Sequence, residues 1–173
     1  MFFLEGNEQM LRRDIAPDEA EVKLLDEDKY LVGLVASTER EDRHGDVIRQ
    51  KYWDLEAFNN APMLLSSHNY MSLTSIIGRL ELEVKGTKLV GIAQYFVGEG
   101  NVEADRGFAV AKRGLAQFSV GFRPDMSKAV ERKGGNGLFP SFEFKGQELL
   151  EVSQVVVPSN PDARQRVKAL CDM

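Results

Sequence analysis

Residues 73 to 97 constrain the fold more than any other stretch of the chain. LELEV alternates apolar and charged residues from 80 to 84, Lys85-Gly86 supplies a bend, and TKLVGIAQYFV runs out again from 87 to 97. Period-two alternation puts one face toward a core and the other toward water, so the segment predicts a β-hairpin. Other runs join it as strands: KYLVGLVAST (29–38), LAQFSVGF (115–122) and ELLEVSQVVV (148–157), the last stopped by Pro158. All are rich in β-branched or aromatic residues.

Helical signals are fewer. DLEAFNN carries a capping Asp54, with Pro62 beyond its end. NVEADRGFAVAKRG has Asn101 as N-cap, Glu103 and Asp105 in its first turns, Lys112 and Arg113 in its last, and Gly114 as a stop. Gly107 in its middle costs roughly 1 kcal/mol relative to alanine. SNPDARQRVKALC predicts a last helix, with Asn160 as N-cap, Pro161 at the first position and Ala163, Val167, Leu170 and Cys171 on one face. Residues 1–28 read as a loosely ordered arm and 29–173 as one domain. Within it, the glycine- and proline-rich stretch 123–147 reads as a long surface loop. Many strands against two or three short helices give a β-rich α+β fold, a curled sheet or barrel with peripheral helices.

Composition narrows the function. The chain has 173 residues, 43% apolar and 28% charged, which suits one hydrophobic core. Its net charge is −5 and no Lys/Arg stripe is interleaved with aromatics, so a nucleic-acid partner has no electrostatic support. The longest apolar runs are too short to span a membrane, and the opening MFFLEGNEQ does not read as a signal peptide. A single cysteine, Cys171, excludes internal disulfides and fits a reducing compartment. With His44, His68 and Cys171 as the only soft ligands, neither a metal nor another cofactor is expected.

Four polar residues stand out. Ser119 sits in the apolar run LAQFSVGF, and His68 ends the apolar run in LLSSHNY. Glu151 lies in LLEVS and Asp46 in RHGD. Singly, each has an ordinary structural reading: a tolerated strand serine, a structural histidine, an outward-facing strand residue, a turn residue. Together they supply what serine hydrolysis needs: a hydroxyl, an imidazole to take its proton, and a third group to orient the imidazole. The order His, Ser, acid is not that of the hydrolase nucleophile elbow, and Gln117 stands where that motif has glycine.

Four stretches in this order and spacing resemble the tailed-bacteriophage prohead maturation proteases, serine peptidases distantly similar to the herpesvirus assemblins. They are VASTEREDRHGDVI (35–48), MLLSSHNY with IGRL (63–70 and 77–80), QFSVGF (117–122) and LLEVSQVVVPSNPDA (149–163). The resemblance spans roughly residues 30 to 165 and implies an assemblin-like fold. It matches His68 to the catalytic histidine and Ser119 to the nucleophile. The third member, a second histidine in assemblins, falls on Glu151 here, with Asp46 as the alternative. Backbone N–H groups of Ser159 and Asn160, at the start of the predicted last helix, correspond to the oxyanion site. The resemblance further implies cleavage of the scaffold or N-terminal region of the major capsid protein, and of the protease itself, inside the procapsid in the bacterial host cytoplasm. Assemblins dimerise through a helix, and the helix at 101–113 is the candidate for a homodimer contact. Two other readings remain open at this point: a capsid scaffold or assembly factor on a protease-like fold, and a β-barrel binding module. Labelling of Ser119 by a fluorophosphonate separates an enzyme from both.

Overall fold

An uninterrupted apolar strand needs cover on both faces, and β2 (Leu31–Thr38) is buried along its whole length. The computed structural model describes residues 24–133 and 140–165. On one edge β2 pairs with the short β1 (Leu24–Asp26), and on the other with β7 (Lys88–Tyr95). β7 forms the expected hairpin with β6 (Ile76–Lys85), and Gly86 takes φ +56° in the bend. β5 (Met63–Ser66) continues the sheet antiparallel to β6 and lies parallel to β11 (Gln147–Val155). The short β4 (Trp53–Asp54) shares that edge of β11, and β8 (Gln117–Pro124) runs antiparallel along the other edge.

The sheet curls until β8 and β2 approach one another, and residues 163–165 bridge the gap. Phe118 N–H donates to the Ala163 carbonyl at 2.9 Å, Gln165 N–H to Ala116 at 2.7 Å, and Val35 N–H to Arg164 at 3.2 Å. The core fills the inside of this curl with Val32, Leu34, Leu64, Ile77, Leu80, Leu89, Phe118, Leu149 and Val152. Helix α1 (Glu56–Asn60) starts where Asp54 accepts the Glu56 N–H at 3.0 Å. Helix α2 (Val102–Lys112) is capped by Asn101, whose Oδ1 accepts the Glu103 and Ala104 N–H groups, and it ends at Gly114 with φ +72°. Its interior Gly107 is explained by close packing. A Cβ there would lie 2.9 Å from Gln154 Oε1 and 3.2 Å from both Ile77 and Tyr95.

The architecture is the expected β-rich α+β fold with a curled sheet. Three local expectations change. Residues 24–26, placed in the N-terminal arm, form β1 on the sheet edge. The stretch 123–147, read as a loop, holds two strands, β9 (Val130–Arg132) and β10 (Ser141–Phe144). With β3 (Val47–Ile48) they make a second small sheet. Phe122 of β8 packs edge-on against Phe144 at 5.3 Å between ring centroids, and that contact holds the small sheet in place. Glycines and prolines punctuate the stretch, yet the strands lie between them, and residues 134–139 are outside the described residues. Finally, the last helix does not begin at Pro161. Residues 161 and 162 form a turn and 164–165 pair with β8 and β2, because the exposed edges of those strands need partners. Tertiary pairing wins over the local capping signal, and the rest of that expected helix, 166–171, lies outside the described residues.

Candidate active site

Glu151 was most simply an outward strand residue, but it is 2% exposed. The cause is a register irregularity in β11 between Leu149 and Glu151. One extra residue, the exposed Leu150, lets Leu149 and Val152 both face the core while Glu151 and Ser153 share the opposite face. A buried carboxylate requires partners, and Glu151 has three. His68 Nδ1 lies 2.7 Å from Oε1, the Tyr70 hydroxyl donates to Oε1 at 3.3 Å, and the Ser153 hydroxyl donates to Oε2 at 2.6 Å.

His68 reaches this carboxylate from the end of β5. Ser67 and His68 both have φ +54°, the left-handed region that side chains disfavour by roughly 1–2 kcal/mol per residue. Two hydrogen bonds to β11 offset that cost: Ser67 N–H to the Gln154 carbonyl and His68 N–H to Ser153 Oγ, both at 2.9 Å. The Ser153 hydroxyl therefore accepts from the His68 backbone while donating to Glu151, so one side chain ties the His68 backbone to the Glu151 carboxylate. The bond to Glu151 holds the His68 imidazole above its ordinary pKa, with partial burial acting in the opposite direction.

Ser119 comes from the other side of β11. It pairs directly with Ser153, and Gly121 with Glu151. Directly opposed residues point to the same face with Cβ atoms roughly 5 Å apart, so Ser119, Ser153 and Glu151 share one face. Gly121 makes room for the carboxylate, because a Cβ there would sit 2.2 Å from Glu151 Oε1 and 2.8 Å from the Tyr70 hydroxyl. Ser119 is 8% exposed, and no hydrogen bond joins it to His68.

A cleft of about 160 Å³ opens beside Ser119, lined also by Val120, Ser159, Asn160, His44 and Asp46. The Asn160 side chain is tied down by Nδ2 donating to the Thr38 carbonyl at 3.0 Å and Oδ1 accepting from Asp162 N–H at 2.9 Å. The amides of Ser159 and Asn160 have no hydrogen-bond partner among the described residues. Among the described residues no helix N-terminus aims at this cleft, contrary to expectation; the available donors are the amides of the bend at 159–160. Asp46 lies in a separate network. Its Oδ1 accepts the Phe142 N–H at 2.7 Å, and its carboxyl is pushed up by burial. No hydrogen bond joins Asp46 to His68. Among the described residues no group of three or more His, Cys, Asp or Glu could hold a metal ion, and no helix is long and apolar enough to cross a membrane.

Three residues around the Glu151 carboxylate carried no functional reading in the sequence: Ser153, Tyr70 and Gly121. Ser153 and Gly121 were accessible in principle, since each stands two residues from a candidate along the same strand. Tyr70 had no comparable signal.

The arrangement offers a hydroxyl and a carboxylate-bound imidazole on one sheet face, with free backbone donors lining a cleft beside the hydroxyl. That is the equipment of acyl transfer through a covalent intermediate. Neither a curated protein nor a solved structure matches the chain. The family model described as caudovirus prohead serine protease matches residues 21–171. Enzymes of this family act in capsid maturation, within the procapsid in the host, and interact with capsid proteins. The chain belongs to the caudovirus prohead serine proteases and is a serine endopeptidase.

Proposed function

We propose that Ser119 is the nucleophile, His68 its general base and acid, and Glu151 the group that orients His68. The observation that carries this reading is the 2.7 Å contact between His68 Nδ1 and the buried Glu151 carboxylate, on the face of β11 that also pairs with Ser119. Nδ1–H donates to Glu151, which leaves Nε2 with a lone pair for the Ser119 proton. Attack by Ser119 Oγ on the peptide carbonyl then forms a tetrahedral oxyanion facing the Ser159 and Asn160 amides. Collapse expels the amine, which takes its proton from His68, and water repeats the sequence to free the acyl group. The missing Ser119–His68 hydrogen bond fits a free enzyme, in which such bonds are often long until substrate closes the site. The substrates we assign are the scaffold or N-terminal region of the major capsid protein and the protease itself.

The test is mass-spectrometric mapping of a fluorophosphonate adduct, together with cleavage of co-expressed capsid protein. The adduct is expected on Ser119. Ser119→Ala should stay folded and lose cleavage by several orders of magnitude, and His68→Ala should match it, since residues acting as a unit are not additive. Processing at the wild-type rate by Ser119→Ala refutes the assignment. An equal loss in His44→Ala but not His68→Ala moves the base to His44, which also lines the Ser119 cleft.

A further inference from the structure

The loop 39–46, EREDRHGD, carries five charged residues in succession from Glu39 to Arg43, and the catalytic assignment gives none of them a role. In the structure Arg43 from this loop grips the turn that lines the Ser119 cleft. Its backbone N–H donates to the Ser159 carbonyl at 3.0 Å, and its guanidinium Nη1 donates to the Pro158 carbonyl. We infer that Arg43 is the positioning residue of the oxyanion site: by holding these two carbonyls it turns the Ser159 and Asn160 amides toward the cleft. The inference rests on the proposed role of those amides.

The physical reason is peptide planarity. In a trans peptide the carbonyl of one residue and the N–H of the next point in opposite directions. Fixing the Pro158 oxygen toward Arg43 therefore points the Ser159 N–H away from it, and fixing the Ser159 oxygen does the same for the Asn160 N–H. Both amides are without a partner among the described residues, and both residues line the cleft with Ser119. A turn free to rotate either peptide would present a carbonyl to the developing anion instead of a donor.

The loop is built to hold Arg43 still. Asp42 Oδ1 accepts the His44 and Asp46 N–H groups at 2.8 and 3.0 Å, and Asp42 N–H donates to the Asp46 carbonyl at 2.9 Å. Gly45 closes the turn with φ +88°, and Arg132 Nη1 donates to its carbonyl at 2.5 Å. The Asn160 side chain fixes the far end of the gripped turn on Thr38. The amides are thus organised before substrate arrives, which is what makes oxyanion donors effective.

The experiment measures the limiting phosphonylation rate and the inhibition constant of an alkyl fluorophosphonate on the whole chain, in wild type, Arg43→Met and Arg43→Lys. Arg43→Met keeps the aliphatic stem and the backbone N–H but loses the guanidinium. It should lower the limiting rate about 10- to 100-fold, less than outright deletion of a donor. The inhibition constant should stay within about twofold and the midpoint pH of labelling should not move, because His68 is untouched. Arg43→Lys, which keeps a cationic donor, should recover most of the rate. Arg43 is exposed, so these variants are expected to fold. Should Arg43→Met not fold by circular dichroism, Arg43→Gln replaces it, with an expected fall of about 3- to 10-fold. A folded variant labelled within twofold of wild type overturns the inference, as does a rate loss accompanied by a moved pH midpoint or a matching change in the inhibition constant. In wild-type protein the Ser159 and Asn160 amide proton resonances should move downfield on phosphonylation. If they move and Arg43→Met has no effect, only the role of Arg43 falls. If they do not move, or the adduct is not on Ser119, the oxyanion assignment falls and the role of Arg43 falls with it.

Discussion

Glu151→Gln separates an orienting carboxylate from a merely buried one. The substitution keeps size and one acceptor, so it leaves the Tyr70 and His68 contacts sterically possible while removing the charge. In the proposed mechanism His68 takes the Ser119 proton and becomes a cation 2.7 Å from Glu151 Oε1. At that separation the attraction is about 6 kcal/mol at an effective dielectric of about 20 and about 1.5 kcal/mol in water. Glu151 is 2% exposed but the His68 side chain is 38% exposed, so the screened value lies between these limits, about 3 kcal/mol. Loss of that much transition-state stabilisation slows phosphonylation of Ser119 by roughly 10²-fold. The pH profile supplies a second readout. In its proposed role His68 works as neutral imidazole, and the bond to Glu151 holds it above its ordinary pKa. Wild-type labelling should therefore rise with pH through a midpoint above about 6.5, and Glu151→Gln should move the midpoint downward. Stability changes with the opposite sign. A raised folded-state pKa gives stabilisation that is fully present below the unfolded value and is lost as pH rises through the folded value. A Glu151→Gln rate within about threefold of wild type with an unmoved midpoint would refute the reasoning, because the electrostatic loss worked above predicts both changes. Asp46→Asn is the matched comparison. Its carboxylate holds the Phe142 N–H, so it should change thermal stability far more than labelling rate.

Ser153→Ala should both destabilise and slow the enzyme, since it removes a donor to buried Glu151 and the acceptor of the His68 N–H. A cost of about 2 kcal/mol corresponds to a melting point lower by roughly 4–8 °C, and labelling should slow about tenfold as the left-handed His68 loses its anchor; unchanged calorimetry and rates would contradict this. Gly121→Ala places a methyl 2.2 Å from Glu151 Oε1, so it should displace the carboxylate and slow labelling about as much as Glu151→Gln. Retention of the wild-type rate by folded Gly121→Ala would show that the carboxylate position does not matter.

What the sequence by itself determined is whatever depends on near neighbours along the chain. The β6–β7 hairpin follows from alternation and the Lys85-Gly86 bend, and both ends of α2 follow from Asn101 and Gly114, because period, capping and left-handed backbone are local properties. His68, Ser119 and Glu151 stood out by pattern and by resemblance, but nothing local said that they meet. Only the tertiary structure brings His68 to Glu151 and sets Glu151 on one face with Ser119, through β11 lying between β5 and β8 and through a bulge that turns Glu151 to the face opposite Leu149 and Val152. Residues 161–165 show the contest most clearly. Asn160 and Pro161 read as a helix start, yet closing the sheet gives the exposed edges of β2 and β8 their hydrogen bonds, and no propensity reports on an edge that distant strands create. The same holds for β9 and β10, each too short to rise above the surrounding glycines, and for Arg43, whose partners lie more than a hundred residues away. Backbone hydrogen bonding must be satisfied across the whole molecule, and that requirement appears only when the chain is closed on itself.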